Sequence, residues 1–401
     1  MNLRNSIMTV MILFLCIDRL GYTVEPDKTQ SSKLAVEENT MFLSKDGKNL
    51  SATDDFPDYA YTAQVLREHF YNNPAKIQRF LQIAKAAGIT LDPLFLGLKD
   101  SKPFTQNQSG YTDIQKAQGI ALLKFLVNQQ FPKATPSDNP TYTVIPGAPG
   151  SGKTFALQKQ FKIDVAKGEF AENSITIGPD LVVMSQMDAY NKARTLPIGP
   201  ERTKAMIAAY SHDRDLSNAA ANFMFVMAMT EGLNIKHDST MTAPTVSTLL
   251  DCLGKLGYTR TGRVLMVDKE SRGGALDERT KRNGGFALVT TEDALGKAVA
   301  AYERIADGSY MGRFEDLTMC VQLPNFYLSE GNIIEVAKYN TETGKMQVLP
   351  GAQQHIDRLM QQARDEEGLK PELLLALEQV VSSWDKAPEI DAKVSNKKSS
   401  M

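Results

Sequence analysis

The chain has 401 residues and a formal net charge of −2, with 42% hydrophobic and 23% charged residues. These values are typical of a globular protein with room for one large domain or two, and without a basic excess they argue against a general nucleic-acid binder. The three cysteines and four histidines are scattered, so they indicate neither a disulfide framework nor a zinc site. Magnesium brought by a nucleotide is the metal that this composition favours.

The N-terminal segment, residues 1–24, combines Arg4 with the apolar run IMTVMILFLCI over residues 7–17. The run has the size of the apolar part of a signal peptide and is too short to span a bilayer, so no stable transmembrane span is expected. Because no small-residue cleavage site follows it, export, a membrane-associated helix and a buried helix stay open. A cytoplasmic location and delivery into another cell are both compatible with a need for ATP.

The next two segments differ in their hydrophobic pattern. Residues 25–58 are polar and lack a period, which predicts a linker. Residues 59–135 place apolar side chains three and four apart, which predicts a helical region packed ahead of the next domain.

Residues 140–325 alternate short apolar runs with helical patterns. Beyond the run at 141–146, strands are predicted at 181–185, 233–236, 263–267 and 317–323, and helices at 200–231, 244–256 and 291–305. Alternation of this kind predicts an α/β fold of the P-loop type, in which a doubly wound parallel sheet binds ligands at the carboxyl ends of its strands.

The C-terminal part changes pattern again. Within residues 326–386 the sequence predicts a β-hairpin that turns at Gly344, followed by a helical segment over residues 353–384. Residues 387–401 are rich in lysine and serine and are predicted to be disordered.

The motif GAPGSGKT follows the first apolar run and has the spacing of a P-loop (Walker A motif). Glycines without a Cβ let backbone N–H groups turn toward an anion, and the following helix adds the positive end of its dipole. We therefore expect this loop to bind ATP with Lys153 on the β- and γ-phosphates and the Thr154 hydroxyl on Mg²⁺. The expected nucleotide-binding residues are Gly147, Ala148, Pro149, Gly150, Ser151, Gly152, Lys153 and Thr154.

Three carboxylates stand near the ends of predicted strands: Asp188, Asp238 and Asp268. A P-loop kinase needs one carboxylate near magnesium and one to accept the proton of the acceptor hydroxyl. Aspartate is also a common helix cap. For Asp268 the charged neighbours favour a cap, whereas for Asp188 and Asp238 a role in the chemistry is favoured.

The order of these pieces over residues 143–305 resembles the zeta toxin family of bacterial P-loop kinases. VIPGAPGSGKT matches the family's P-loop, and LVVMSQMDAYNKA stands where the family has a strand followed by Gly-Asp-x-x-Arg. NIKHDST stands where the family has a strand that ends in an acid-Gly-Thr signature, and DERTKR supplies arginines in the place of the family's lid arginines.

The resemblance implies an ATP- and Mg²⁺-dependent kinase that phosphorylates a UDP-N-acetylamino sugar. It implies that Asp188 is the general base, that Asp238 positions the metal or the substrate, and that Arg279 and Arg282 clamp the phosphoryl group. Independently, the two arginines lie three apart and are flanked by glycines, as in a mobile lid, although a solvated basic helix has the same pattern. An antitoxin partner and delivery as a bacterial effector toxin are further implications of the resemblance.

The sequence also departs from the family. Met187 replaces the glycine before the base, Asn191 replaces the arginine after it, and Ser239 replaces the glycine of the acid-Gly-Thr signature. These departures leave the acceptor open. The alternatives are a P-loop ATPase or nucleotide switch that uses Asp268, a secreted effector kinase with another acceptor, and a degenerate kinase that regulates a partner.

Overall fold

The computed structural model describes residues 64–71, 73–92, 113–164, 169–180, 188–282, 284–287, 289–323 and 333–386. The predictions for the N-terminal segment, the linker, the strand at 181–185 and the C-terminal tail lie outside these residues. Within them, no helix combines the length and the apolar character needed to cross a bilayer.

The described strands form one mostly parallel sheet. They are β1 (Thr141–Val144), β2 (Ile175–Ile177), β3 (Ile235–His237), β4 (Thr259–Met266), β5 (Asp316–Gln322), β6 (Ile333–Asn340) and β7 (Lys345–Val348). Their order is β2-β3-β1-β4-β5-β6-β7, in which β1 to β5 are parallel and the hairpin β6–β7 continues the sheet antiparallel. The α/β fold class is therefore confirmed, and the hairpin is part of the same sheet.

Helices cover the sheet and pack on one another. They are α1 (Gln64–His69), α2 (Pro74–Ala86), α3 (Asp113–Gln130), α4 (Lys153–Phe161), α5 (Asp188–Thr195), α6 (Pro200–Glu231), α7 (Val246–Lys255), α8 (Lys269–Arg282), α9 (Thr291–Ala306), α10 (Gln353–Arg364) and α11 (Pro371–Ser382). Helices α2 and α3 of the predicted helical region pack against α6, and α10 packs against β5 and β6.

The sheet is buried on both faces, as expected for central parallel strands. In β4, Val264 and Met266 belong to the main hydrophobic core, whereas Leu265 between them belongs to a separate cluster on the other side. That second cluster includes Leu157 of α4, so the helix after the P-loop packs on this face. Hydrophobic clusters therefore cover both faces of the sheet, as expected for a doubly wound fold.

Two differences from the sequence prediction have a clear physical reason. Strand β2 was not predicted, because its three apolar or β-branched residues sit among polar ones and too few of them repeat to show a period. The single C-terminal helical segment is two helices, since the chain breaks before Pro371 and Gly368 adopts a left-handed φ of +85°.

Candidate active site

The strand order brings the P-loop and Asp238 to the same edge of the sheet. Strand β1 lies between β3 and β4 and is parallel to both, with Val144 opposite His237. Because neighbouring parallel strands end together, the loop after β1 lies beside the residues that follow β3. Asp238 is the first of these residues, and its backbone N–H donates to the carbonyl of Ile177 at 2.8 Å.

The P-loop backbone requires glycine at several positions. Gly150 and Gly152 have left-handed φ values of +83° and +79°, and Gly152 immediately precedes α4. At Gly147 a Cβ would lie 2.5 Å from the Ser151 hydroxyl and 2.9 Å from the carbonyl oxygen of Leu265, both too close for a side chain. Left-handed glycines that lead into a helix N-terminus are the backbone pattern of an anion-binding nest.

Two elements support this loop from behind. The buried side-chain amide of Gln322, at the end of β5, donates to the carbonyl of Ser151 at 2.7 Å. Helix α8 lies against Gly150, where a Cβ would approach the carbonyl oxygen of Arg272 to 2.9 Å. Sequence reasoning missed both supports. A polar residue at the end of an otherwise apolar strand was the available signal for Gln322.

Thr154 and Asp238 meet directly. The Thr154 hydroxyl donates to the Asp238 carboxylate at 2.9 Å, across 84 residues of sequence. Burial raises the pKa of Asp238, although the positive charge of Lys153 and the hydrogen bond from Thr154 act in the opposite direction. Burial also lowers the pKa of Lys153, which the charge of Asp238 opposes. The structure therefore brings three predicted site residues together.

The two predicted lid arginines have different surroundings. The charge of Arg279 adds to the lowering of the Lys153 pKa by burial and opposes the rise in the Asp238 pKa, so its guanidinium acts on both groups. Arg282 instead donates from Nε to Glu278 at 3.3 Å along the same helix, and its side chain is 71% exposed. Of the pair, Arg279 is the one whose charge reaches the P-loop.

A group of charged and aromatic side chains interacts electrostatically with Arg279, and sequence reasoning did not identify it. Burial raises the pKa of Tyr190 and raises that of Tyr210 to about 12, and both pKa values also respond to the charges of Arg279 and Asp180. Asp180 pairs with Arg214, whose guanidinium lies 5.5 Å from the Tyr210 ring centroid. Asp180 also influences Lys153 and Asp238, so this group borders the P-loop.

The remaining candidates have different outcomes. Asp188 is the first residue of α5, but its side chain lies outside the described part of the structure, so its role as a base stays a prediction. Asp268 caps α8 by accepting from the backbone N–H of Ser271 at 2.7 Å, and it also accepts from Arg358 at 3.4 Å. The predicted cap at Asp268 is confirmed.

His237, the last residue of β3, is packed against its neighbours. Its Nδ1 lies 2.8 Å from the Tyr142 hydroxyl, and burial lowers the pKa of the imidazole to about 4. The ring is therefore neutral at pH 7.

The donor set near the P-loop fits magnesium held together with a nucleotide. Over the described residues no cluster of three or more His, Cys, Asp or Glu side chains has a metal-binding arrangement. A hydroxyl and one carboxylate, Thr154 and Asp238, are the kind of oxygen ligands that Mg²⁺ takes when phosphate oxygens and water complete its shell. Arg279 adds positive charge suited to the phosphates themselves.

No protein-family model and no curated protein sequence matches the chain. Solved structures of similar fold include the PezAT toxin-antitoxin system of Streptococcus pneumoniae, at 14% identity and a TM-score of 0.40 over 68% of this chain and 96% of the other. They also include the native AvrRxo1-ORF1:-ORF2 complex, at 13% identity and a TM-score of 0.44 over 71% of this chain and 92% of the other. The same complex with ATP matches at 14% identity and a TM-score of 0.46 over 70% and 92%. At these values the likeness is one of fold alone.

Proposed function

We propose that the protein is an ATP-dependent kinase that transfers the γ-phosphoryl group to a hydroxyl of a small molecule. The acceptor implied by the sequence resemblance is a UDP-N-acetylamino sugar. The observation that carries the proposal is the 2.9 Å contact between the Thr154 hydroxyl and the Asp238 carboxylate, beside Lys153 at the start of α4. A glycine turn without function has no need of a carboxylate delivered from a neighbouring strand.

Different residues of the site bind the phosphates and the Mg²⁺ of ATP. The loop from Gly147 to Gly152 surrounds the phosphates with backbone N–H groups, and Lys153 binds the β- and γ-phosphates. Thr154 and Asp238 hold Mg²⁺, which neutralises phosphate charge when bound. Burial raises the pKa of Asp238, but the positive charge of Lys153 and the metal itself favour the ionised carboxylate that binding requires.

Arg279 supplies the transition-state contact. Its guanidinium stabilises the charge that spreads over the transferring phosphoryl group, and it comes from a helix that already packs against the P-loop at Gly150. Arg282 joins this clamp only after it leaves Glu278. Asp188, at the start of α5, accepts the proton of the attacking hydroxyl.

The acceptor lies against the group of charged and aromatic residues beside Arg279. Arg194, whose guanidinium is 5.9 Å from the Tyr190 ring centroid, provides positive charge for an acceptor that carries phosphate. The Tyr190 ring is buried and supports this arginine from below. Arg194 thereby offsets the loss of the family's arginine at position 191.

The resemblance also guides the biology that we propose. Kinases of the zeta toxin family can be poisonous to bacteria, so an antitoxin protein or delivery into another cell would control this one. The enzyme acts in a compartment that contains ATP, in the cytoplasm of the producing cell or of a recipient.

The test is incubation of the full chain with ATP, Mg²⁺ and a pool of sugar nucleotides, nucleosides and small metabolites, followed by mass detection of phosphorylated species. We expect one species to gain a phosphate. Lys153→Ala should lose both ATP binding and transfer, and Asp188→Ala should lose transfer while it still binds ATP. Lys159→Ala, in the same helix, is the matched control and should keep both activities. Full turnover by Asp188→Ala would remove the base from the mechanism.

A further inference from the structure

The C-terminal helices are tied to the helix that carries Arg279. The Arg272 guanidinium of α8 donates to the Glu366 carboxylate at 2.6 Å, and the two side chains are only 5% and 1% exposed. Glu366 lies just beyond the end of α10, in the connection to α11. Two further contacts join the first turn of α8 to the same segment: Asp268 with Arg358, and Lys269 with Glu367 at 3.0 Å.

A buried ion pair constrains geometry more than a surface pair does. Removing one partner leaves the other charge in a medium of low polarity, so the two groups stay together while the fold is intact. The exposed Lys269–Glu367 pair is free of this penalty and contributes little. The Asp268–Arg358 pair is longer, at 3.4 Å, and its arginine is 36% exposed. Among the described ion pairs between α8 and the C-terminal segment, Arg272–Glu366 is therefore the shortest and the most buried of the three, and the one that constrains the helix most.

One face of α8 then connects this pair to the active site. Arg272, Leu276 and Arg279 follow one another at four and three residues, which places them on the same side of a helix. A Cβ on Gly150 would lie 2.9 Å from the Arg272 carbonyl oxygen and 3.1 Å from Leu276 Cγ, so this face touches the P-loop. One turn further along, the charge of Arg279 acts on Lys153 and Asp238.

We propose that Glu366 is a positioning residue that acts through Arg272 to hold α8 against the P-loop, with Arg279 aimed at the phosphates of the nucleotide. The proposal rests on the proposed function for its catalytic consequence. It makes the C-terminal helices an integral part of the kinase site, because α10 is itself anchored on strands β5 and β6.

The decisive experiment is a double-mutant cycle between Glu366 and Arg279 in the full-length protein. Glu366→Gln keeps the side-chain size and removes the charge. We expect kcat for phosphoryl transfer to fall by about tenfold to 100-fold, the cost of a misplaced catalytic group. In the Arg279→Ala background the same change should alter kcat by less than about twofold, because the displaced arginine is already absent. If the fold reductions in kcat of the two single variants multiply in the double variant, the proposal is overturned.

Glu378→Gln is the matched control. Glu378 of α11 accepts from Arg364 at 2.8 Å in an exposed pair within the C-terminal helices. It should leave kcat unchanged, and a loss equal to that of Glu366→Gln would mean that any damage to these helices has the same effect. If Glu366→Gln does not fold, Glu366→Asp keeps the charge and withdraws it from Arg272. Glu366→Asp should lower kcat in the wild-type background only.

Hydrogen exchange separates this proposal from the proposed function. We expect the α8 amides to exchange faster in Glu366→Gln than in the wild type or in Glu378→Gln, with or without nucleotide. If the wild type transfers no phosphate, the kinase proposal fails while this measurement still decides whether Glu366 holds α8. Unchanged α8 exchange in Glu366→Gln would refute the positioning role.

Discussion

Gly150 of the P-loop lies directly against helix α8, so Gly150→Ala is a direct test of the site geometry. The residue has φ of +83°, a region in which a side chain costs about 1–2 kcal/mol. The new Cβ would also lie 2.9 Å from the Arg272 carbonyl oxygen and 3.1 Å from Arg272 Cγ and Leu276 Cγ. Relief of these contacts requires α8 or the loop to move, at an overpacking cost of about 1–3 kcal/mol.

The two costs together predict that Gly150→Ala lowers the free energy of unfolding by about 2–5 kcal/mol. It should also weaken ATP binding, because the loop and Arg279 no longer face each other in the same geometry. Urea unfolding measures the first effect and titration calorimetry with ATP and Mg²⁺ measures the second.

The matched control is Gly273→Ala, one residue after Arg272. A Cβ there meets nothing within 4 Å, and the residue lies inside α8. Because alanine is the better helix former, the change should raise the free energy of unfolding by about 0.5–1 kcal/mol and leave ATP affinity intact. Wild-type stability and affinity in Gly150→Ala would refute the close packing of α8 on the P-loop.

Two further predictions concern stability and reactivity. Burial raises the pKa of Glu231, but hydrogen bonding and charge from neighbours that include His69 outweigh burial, so the pKa of Glu231 in the folded protein is lowered. The ionised Glu231 therefore stabilises the fold above the ordinary pKa of glutamate, and this stabilisation is lost as the pH falls through the pKa in the folded protein. Urea unfolding should show that Glu231→Gln costs about 1–2 kcal/mol at pH 7 and flattens the acid side of the stability profile; an unchanged profile would contradict this reasoning. Burial raises the pKa of both Cys252 and Cys320 to about 11. In a Cys16→Ser background, a thiol reagent at pH 8 should label neither cysteine before unfolding, and rapid labelling of the native protein would show that these sites open.

The sequence predicted most of the fold where signals are local. Helix α6 begins at Pro200 and ends before Gly232, as predicted, because proline suits the first turn and Gly232 adopts the left-handed φ of +66° that ends a helix. The hairpin turn at Gly344 was also predicted from local sequence, and the glycine there has a left-handed φ. Strand β2 forms because it pairs with β3, so no pattern within its own residues announces it.

The parts of the site that could be predicted are likewise those with a signal in the local sequence. A P-loop is read from contiguous residues, and Asp238 follows a strand that the alternation predicts. The hydrogen bond from Gln322 to Ser151 spans 171 residues, and the Arg272–Glu366 pair spans 94, so both depend on how the sheet and helices assemble. Asp180 follows the unpredicted strand β2, and for that reason its place near Lys153 was missed.

The kinase activity is tested most directly by following the γ-phosphorus of ATP by ³¹P NMR in the presence of the full chain, Mg²⁺ and a pool of hydroxylated acceptors. We expect the γ signal to move into a phosphomonoester of an acceptor, and we expect Asp238→Asn, which removes the metal-binding charge, to slow this transfer strongly. Release of the γ-phosphorus only as inorganic phosphate, at a rate that no acceptor changes, would contradict the kinase proposal.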